Sequence, residues 1–330
     1  MAATTYTGNG STLSVSNAVN GVSMQPDLVW VKGRSVAYSH GLYDSVRGAT
    51  KRLISNLTNA EDTLSGVTAF NSGGFSLGSD INFNENAATY VGWQWKAGGT
   101  AVSNTAGSIT SSVSANTTAG FSVVTYTGTG ANATVGHGLG VALQMLIVKR
   151  RDAGGSPWNV WQTGLSGGTY FVVLNATSAQ ASGPTRFTAT PTSTVFNIGT
   201  DGDVNASSGT YVAYCFAPVA GYSAFGSYVG NGSTDGSFIY TGMRPRFLMV
   251  KRTDSAVSWI VIDTSRNPNN VSNFSLLPNG ANAEITSSTE TDILSNGFKI
   301  RTTDVSLNAS GGTYIYYAVA ENPFKFSNAR

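Results

Sequence analysis

The chain has 330 residues, 19 of them basic and 17 acidic, and a formal net charge of +2. Charged residues make up 11% of the sequence, against roughly 25% in an average soluble domain, whereas 39 glycines and many Ser, Thr and Asn disfavour helix. With 41% apolar residues, the composition excludes a helix-rich enzyme and a disordered chain, and the small net charge gives no electrostatic reason for binding nucleic acid or an anionic membrane.

Other features of the sequence restrict its class further. A single cysteine, Cys215, excludes an internal disulfide framework. The sequence has no apolar run of the length that spans a membrane. The N-terminal residues lack the basic start and apolar core of a secretory signal, so we expect synthesis in a cytoplasm without a signal peptide.

Three landmarks recur in the same order along the chain, at intervals that agree to within a few residues. Each series starts with a Tyr-x-Gly motif, continues with an apolar run that ends in lysine, and closes with a tyrosine-rich run. The motifs are residues 6–8, 126–128 and 228–230; the lysines are Lys32, Lys149 and Lys251; the closing tyrosines are Tyr90, Tyr211 and Tyr314. This repetition predicts three homologous domains of about a hundred residues each.

The landmarks also set the predicted domain boundaries. We expect domains at residues 1–97, 121–222 and 223–330. Residues 98–120 are uncharged and rich in Gly, Ser, Thr, Ala and Asn, which predicts a linker that leaves the first domain loosely attached.

Short runs of Val, Ile, Phe, Tyr, Trp and Thr, separated by turn residues, predict that each domain is all-β. The last run of the second domain places Val212, Tyr214 and Phe216 on one face, which we take as the core side. Such strands need a second sheet to cover them, so we expect three tandem β-sandwiches of jelly-roll or lectin type.

The residues that could carry catalysis are few. The two histidines, His40 and His137, fall at unrelated places in the repeat, and His40 aligns with Trp158 and Trp259, which indicates packing. Asp44 and Asp263 are each followed three residues later by arginine, a spacing typical of a structural salt bridge at a strand end. The sequence therefore predicts a protein that is not an enzyme and carries no cofactor.

Two further sets of residues are weak site candidates. Asp201, Asp203 and Asn205 begin like a calcium loop but lack its glycine and its final glutamate, and Asp and Asn also close turns, so calcium and a plain turn both stay open. Trp158, Trp161 and Trp259 flank turns and are the candidates for surface stacking on sugar rings.

Four sequence blocks carry a resemblance to a known family. The blocks are residues 25–32, 43–51, 69–75 and 88–98, and residues 308–316 and 320–324 resemble the end of the same family. The chain is similar there to a domain of unknown function found in virion proteins of tailed bacteriophages, especially marine and cyanobacterial ones, whose members are described as tail-fibre or structural proteins. The family supplies no catalytic residues to carry over.

The resemblance implies a location on the virion surface and contacts with other virion proteins. We expect a non-enzymatic appendage, a tail fibre or adhesin, that attaches to a host-surface glycan and forms a homo-oligomer, for which we take a trimer. A capsid-decorating or spike protein is the alternative, and a polysaccharide depolymerase is the third possibility. The sequence predicts neither a nucleic-acid partner nor membrane insertion.

Overall fold

The structure is a computed structural model that describes residues 1–18 and 23–323. Strands make up 42% of it and helices 4%, which confirms the all-β prediction. We divide the described chain into unit 1 (residues 1–97), unit 2 (98–222) and unit 3 (223–323). The end of the third predicted domain, residues 324–330, lies outside the described residues.

Unit 1 consists of two facing antiparallel sheets with a short helix before the last strand. Its elements are β1 (Ala2–Thr7), β2 (Leu13–Ser16), β3 (Leu28–Gly33), β4 (Gly41–Asp44), β5 (Lys51–Arg52), β6 (Asp62–Thr63), β7 (Val67–Asn71), β8 (Gly74–Leu77), α1 (Ile81–Asn84) and β9 (Thr89–Trp95). The large sheet has the order β1-β9-β3-β4 and the small sheet the order β2-β8-β7, while β5 and β6 pair with each other.

Unit 2 has the same two layers and an additional hairpin. Its elements are β10 (Val102–Asn104), β11 (Ser111–Asn116), β12 (Phe121–Thr127), β13 (Ala133–Gly136), β14 (Met145–Arg150), β15 (Asn159–Gln162), β16 (Tyr170–Val173), β17 (Ala181–Ser182), β18 (Val195–Ile198), α2 (Gly202–Asn205) and β19 (Thr210–Phe216). The large sheet has the order β10-β11-β12-β19-β14-β15-β16-β17, and β13 pairs with β18.

Unit 3 repeats the strand order of unit 1. Its elements are β20 (Ser223–Val229), β21 (Phe238–Tyr240), β22 (Pro245–Arg252), β23 (Ile260–Asp263), β24 (Thr291–Leu294), β25 (Gly297–Ile300), α3 (Val305–Asn308) and β26 (Thr313–Ala320). The large sheet has the order β20-β26-β22-β23 and the small sheet the order β21-β25-β24.

The predicted linker is a structured part of unit 2, so that expectation is wrong. β11 pairs antiparallel with β12 over Ser112–Asn116, and β10 pairs with β11. Ile109 and Val113 are buried in the core between the two sheets of unit 2, and we call such a core within one unit its outer core. The reason is local: Gly120, with φ of +61°, closes the turn between β11 and β12, where a side chain would strike the carbonyl oxygen of Ala217.

The closing tyrosines have the same partners in all three units. The hydroxyls of Tyr90, Tyr211 and Tyr314 each donate to the carbonyl nine residues earlier and accept from the amide five residues earlier. Each ring stacks on the first tyrosine of its unit, at centroid distances of 5.2, 5.0 and 4.8 Å. These shared contacts fix the end of each large sheet against its short helix.

The two faces of each large sheet enter different cores. One face packs against the small sheet of the same unit, as Tyr211, Ala213 and Cys215 do in unit 2. The opposite face carries Val212, Tyr214 and Phe216, the predicted core side. That face is buried, but it lies in a central cluster to which all three units contribute, and not between the two sheets of one sandwich.

The central cluster makes the three units one packed body. Trp95 of unit 1 contacts the rings of Phe216 of unit 2 and Phe247 of unit 3, at centroid distances of 6.4 and 5.5 Å. Its indole nitrogen donates to the hydroxyl of Tyr317 at 3.0 Å. The expectation that unit 1 hangs loosely is therefore wrong, because its inner face supplies part of a core that none of the units completes alone.

Candidate functional site

The three tryptophans predicted to lie at the surface are buried, so that expectation is wrong. Trp158, Trp161 and Trp259 are 0%, 3% and 2% exposed. Trp158 and Trp259 lie at the start of strands whose inner faces meet the neighbouring unit, and Trp161 lies in the outer core of unit 2. Their position beside turns predicts exposure, but the adjoining units and sheets cover the rings.

Trp158 and Trp259 hold neighbouring units together. The indole of Trp158 in unit 2 donates to the carbonyl of Ile54 in unit 1 at 2.8 Å. The indole of Trp259 in unit 3 donates in the same way to Val173 in unit 2 at 2.9 Å. We call each region of contact between two units a joint, named 1/2, 2/3 and 3/1 by the units that it joins.

His40 takes the place of these tryptophans at joint 3/1. The indole of Trp30 donates to Nδ1 of His40 at 2.8 Å, so the ring hydrogen lies on Nε2, which contacts the carbonyl oxygen of Leu277 at 2.9 Å. Burial, with a smaller contribution from the charge of Lys32, lowers the pKa of His40 to about 3. A neutral histidine with both nitrogens engaged is a packing residue, as its alignment with tryptophan predicts.

Each landmark lysine closes one joint from inside. The ammonium group of Lys149 donates to the main-chain oxygen of Thr58 in unit 1, and that of Lys251 donates to Thr177 in unit 2. The ammonium group of Lys32 donates in the same way to Ala281 in unit 3. Each also donates to a carbonyl in its own unit. Burial is the main cause that lowers the pKa of all three lysines to about 8.

The Asp–Arg pairs are structural salt bridges, as the sequence predicts. Arg47 bonds Asp44 and Glu61 from within the core, and Glu61 receives both Nε and Nη2 of Arg151 in unit 2 at 3.0 Å. Burial raises the pKa of Glu61, but its bonds with Arg151 and Arg47 outweigh that effect and leave it lowered. The hydroxyl of Tyr214 completes the network on Asp44 at 2.9 Å.

Joint 3/1 repeats this network with other residues. Arg266 bonds Asp263 and Glu284, and Glu284 pairs with Arg34 in unit 1. The indole of Trp93 takes the place of the Tyr214 hydroxyl and donates to Asp263 at 2.9 Å. These carboxylates are held by guanidinium groups inside the joints.

Joint 2/3 has the same main-chain contacts without the charges. The amide of Gln180 donates to the carbonyl of Thr253 at 2.8 Å, as Glu61 does to Arg151 and Glu284 does to Arg34 at 2.7 Å. Gln162, in the position of Asp44, donates instead to the carbonyls of Gly226 and Tyr316 at 3.2 Å. The matching main-chain bonds place Gln180 and Thr253 at the positions of Glu61 and Arg151. Leu165, three residues after Gln162, takes the place of Arg47, so all four positions are neutral at joint 2/3.

The calcium candidates cap a helix and pair with arginine. Asp201 accepts from the amide of Asp203 at the start of α2, and Arg186 bonds both carboxylates at 3.0 and 2.8 Å. The side chain of Asn205 accepts from the amide of Thr129 and donates to two carbonyls. This geometry favours the turn interpretation, since a guanidinium already occupies the space between the two carboxylates. Within residues 1–18 and 23–323, no three acidic, His or Cys side chains cluster as metal ligands would.

An open groove of about 370 Å³ lies on unit 2 beside joint 1/2. The hairpin β10–β11 extends the large sheet here, and opposite positions share a face, which aligns the hydroxyls of Ser103, Ser112 and Thr125 across three strands. Thr127 and Thr210 form a second row at the end of β12 and β19. Among the described residues, those that line the groove are Ser103, Thr110, Ser111, Ser112, Thr125, Tyr126, Thr127, Arg151 and Thr210.

The chemistry of the groove is that of neutral hydrogen bonding. Ser and Thr hydroxyls both donate and accept, while the one charged lining group, Arg151, is paired with Glu61. None of the described lining residues carries a carboxylate. The sequence did not indicate these residues as a site, because most of them lie in or next to the predicted linker, where Ser and Thr are common without a regular alternation.

The exposed aromatic residues of the described surface include Phe238 and Tyr240 on β21, at 47% and 66% exposure. Ile239 between them is buried in the outer core of unit 3. The alternation Phe-Ile-Tyr is the sequence signal that would have indicated an outward aromatic pair.

Facing antiparallel sheets, a core shared by three units and a hydroxyl-lined groove define an all-β protein of the β-sandwich type. The chain belongs to the family described as Domain of unknown function (DUF7483), which matches residues 1–323. Neither a curated protein nor a solved structure matches the chain. No helix in residues 1–18 and 23–323 is long and apolar enough to cross a membrane.

Proposed function

We propose that the protein is a non-enzymatic appendage of a tailed-phage virion, a tail fibre or adhesin, that binds a neutral glycan of the host surface in the groove of unit 2. The observation that carries the glycan assignment is the double row of hydroxyls across β10, β11, β12 and β19. A neutral polysaccharide presents hydroxyls along its length, and an open groove accepts a chain without requiring its end. The virion location rests on the resemblance of the sequence blocks.

The carboxylate paired with the groove's arginine favours a binding role over a hydrolytic one. A glycosidase needs two carboxyl groups about 5–10 Å apart across the substrate. Glu61, the carboxylate paired with Arg151 of the groove, is held by two guanidinium groups and has a lowered pKa. A lowered pKa disfavours the protonated form that a general acid needs.

We also infer that the three units descend from one repeated lectin-like sandwich. The recurring strand order, the stacked tyrosine pairs and the equivalent joint lysines support this inference. The packed centre leaves room for about 10 Å³, so the three-unit arrangement supplies a rigid mount and no central ligand cavity. A homotrimer stays a prediction.

The test is binding of the labelled full chain to a panel of bacterial capsular and lipopolysaccharide glycans. Thr125→Val with Thr127→Val removes two groove hydroxyls while keeping β-branched side chains, and we expect at least a tenfold loss of binding. Thr68→Val, in a depression of about 310 Å³ on unit 1, is the matched control and should bind as the wild type does. Equal binding by the groove variant excludes this site.

The same samples test the other functions. New reducing ends that disappear in a single Asp→Asn or Glu→Gln variant favour a depolymerase. Absence of glycan binding, with antibody labelling of the capsid on intact particles, favours decoration. The exposed aromatic pair on β21 is the observation that supports this second function, because such pairs are typical of protein contacts.

A further inference from the structure

β21 is an edge strand, and no strand among residues 1–18 and 23–323 pairs with the main-chain groups of its outer side. It pairs with β25 on one side only, in the order β21-β25-β24. The carbonyl oxygen of Ser237 accepts a bond from β25 at 3.1 Å, and the amide of Thr241 donates to the turn before β25 at 3.0 Å. Because bonding alternates along an antiparallel strand, the N–H and C=O groups of Phe238 and Tyr240 point away from β25.

The corresponding edges of the other units have different side chains. Ile239, Val15 and Val135 are equivalent, since each lies opposite the phenylalanine of the neighbouring strand. Ser14 and Ser16 therefore occupy the positions of Phe238 and Tyr240 in unit 1, and Thr134 and Gly136 occupy them in unit 2. Of the three edges, only that of unit 3 presents two exposed aromatic rings.

In unit 2 the segment around Ile109 covers the equivalent edge, through an isolated parallel bridge between Ile109 and Val135. The amide of Ile109 donates to the carbonyl of Thr134 at 3.0 Å, and the amide of Thr134 donates to the Ser108 hydroxyl at 2.9 Å. The hydroxyl of Ser111 donates to the carbonyl of Gly136 at 2.9 Å. Ile109 is 6% exposed and packs into the outer core of unit 2. The fold thus contains a segment that already bonds the equivalent edge in another unit.

The charges beside β21 are already neutralised. Lys299, opposite Phe238, pairs with Asp235 at 2.6 Å, and Arg301 lies 3.5 Å from Asp292. Two basic and two acidic side chains leave no excess charge for a charged partner to match. The segment 107–111 that covers the edge in unit 2 is also uncharged.

We propose that the β21 edge of unit 3 binds an extended, uncharged segment of another polypeptide, which adds a strand beside Phe238 and Tyr240. The added strand bonds the outward main-chain groups of these two residues, and the aromatic rings flank its side chains on the outer face. An aliphatic residue in the position of Ile109 points toward the core of unit 3. The proposal concerns a different surface from the glycan groove.

The probe is a fluorescein-labelled synthetic peptide of residues 105–113, which contains the covering segment of unit 2. We expect saturable binding to the full chain by fluorescence anisotropy, and slower hydrogen exchange at the amides of Phe238 and Tyr240. Phe238→Ser with Tyr240→Ser gives unit 3 the serines found in unit 1 and should weaken binding at least tenfold. An unchanged melting temperature shows that this variant is folded.

Two matched controls separate strand addition from simple apolar contact. Methylation of the peptide nitrogen at Ile109 removes one main-chain donor and should abolish binding. Ser14→Phe with Ser16→Tyr transfers the aromatic pair to unit 1 and should create a second peptide site. No saturable binding to the wild type, or equal binding by the Phe238→Ser, Tyr240→Ser variant, overturns the proposal. Displacement of the peptide by a glycan that protects the same two amides also overturns it, in favour of sugar stacking.

Discussion

Arg34 and Glu284, 250 positions apart in the chain, form a two-point ion pair that closes unit 3 onto unit 1. Nη2 of Arg34 lies 2.8 Å from Oε2 of Glu284, and Nε lies 3.0 Å from Oε1. Arg151 and Glu61 make the corresponding pair at joint 1/2. The first and last units are therefore bonded in the same way as two that are consecutive in the chain.

The charged network of joint 3/1 should be replaceable as a set but not singly. Arg266→Leu alone leaves Asp263 and Glu284 without their buried partner and should lower the free energy of unfolding by about 3–5 kcal/mol. Adding Asp263→Gln, Glu284→Gln and Arg34→Thr reproduces the neutral residues of joint 2/3 and should recover most of that loss. Urea denaturation measures the free energy of unfolding of the single and the quadruple variant. A quadruple variant that is less stable than the single one contradicts the equivalence of the joints.

The stability of the protein should fall in acid partly through His40. Its pKa is about 3 when folded, against an ordinary value of 6.5, so the folded state binds fewer protons in this range. Stability is therefore lost as the pH falls from about 6.5 toward 3. His40→Trp with Trp30→Met gives unit 1 the pair found as Met249 and Trp259 in unit 3. We expect a shallower loss between pH 7 and pH 4 for this double variant in denaturant titrations. The same slope as in the wild type would show that the pKa of His40 in the folded state lies near its ordinary value.

The joint lysines should make the protein more stable at mildly alkaline pH. Their pKa is about 8 in the folded state and 10.5 ordinarily, so the unfolded chain binds more protons between these values. Unfolding free energy should then rise from pH 8 to pH 9.5, below the range in which tyrosines ionise. Lys149→Met should reduce this rise, whatever its effect on absolute stability. The matched control is Lys51→Met, whose side chain bonds the exposed Thr63 hydroxyl, and it should leave the slope unchanged.

Tyr214→Ala should destabilise the protein by about 3–5 kcal/mol, as for a buried aromatic residue. The ring is 1% exposed in the central cluster, and its hydroxyl bonds Asp44 of unit 1. Tyr240→Ala removes a tyrosine that is 66% exposed and should cost less than about 0.5 kcal/mol. Equal effects of the two substitutions in urea denaturation would mean that Tyr214 is not part of a core shared by the units.

The sequence by itself determined the strand content, the recurrence of the landmarks and the Asp–Arg salt bridges. These depend on local properties: alternation of side chains along a strand, turn residues between strands, and a spacing of three that brings Arg47 back to Asp44. The all-β class could therefore be predicted without knowing how the sheets pack, and the structure confirms it.

Only the tertiary structure decided what covers each face and each tryptophan. Residues 211–216 are apolar on both sides, so their pattern could not distinguish the sandwich core from the centre shared by three units. Trp158 follows a turn, yet it is buried in the central cluster and its indole donates to the carbonyl of Ile54, 104 positions earlier in the chain. Residues 98–120 have the composition of a linker, yet the free edge of β12 gives their main-chain groups partners, and β11 forms there. For the sheet faces and for Trp158 the deciding contacts join residues far apart in sequence, and for β11 the availability of the β12 edge decides. Composition and periodicity encode neither.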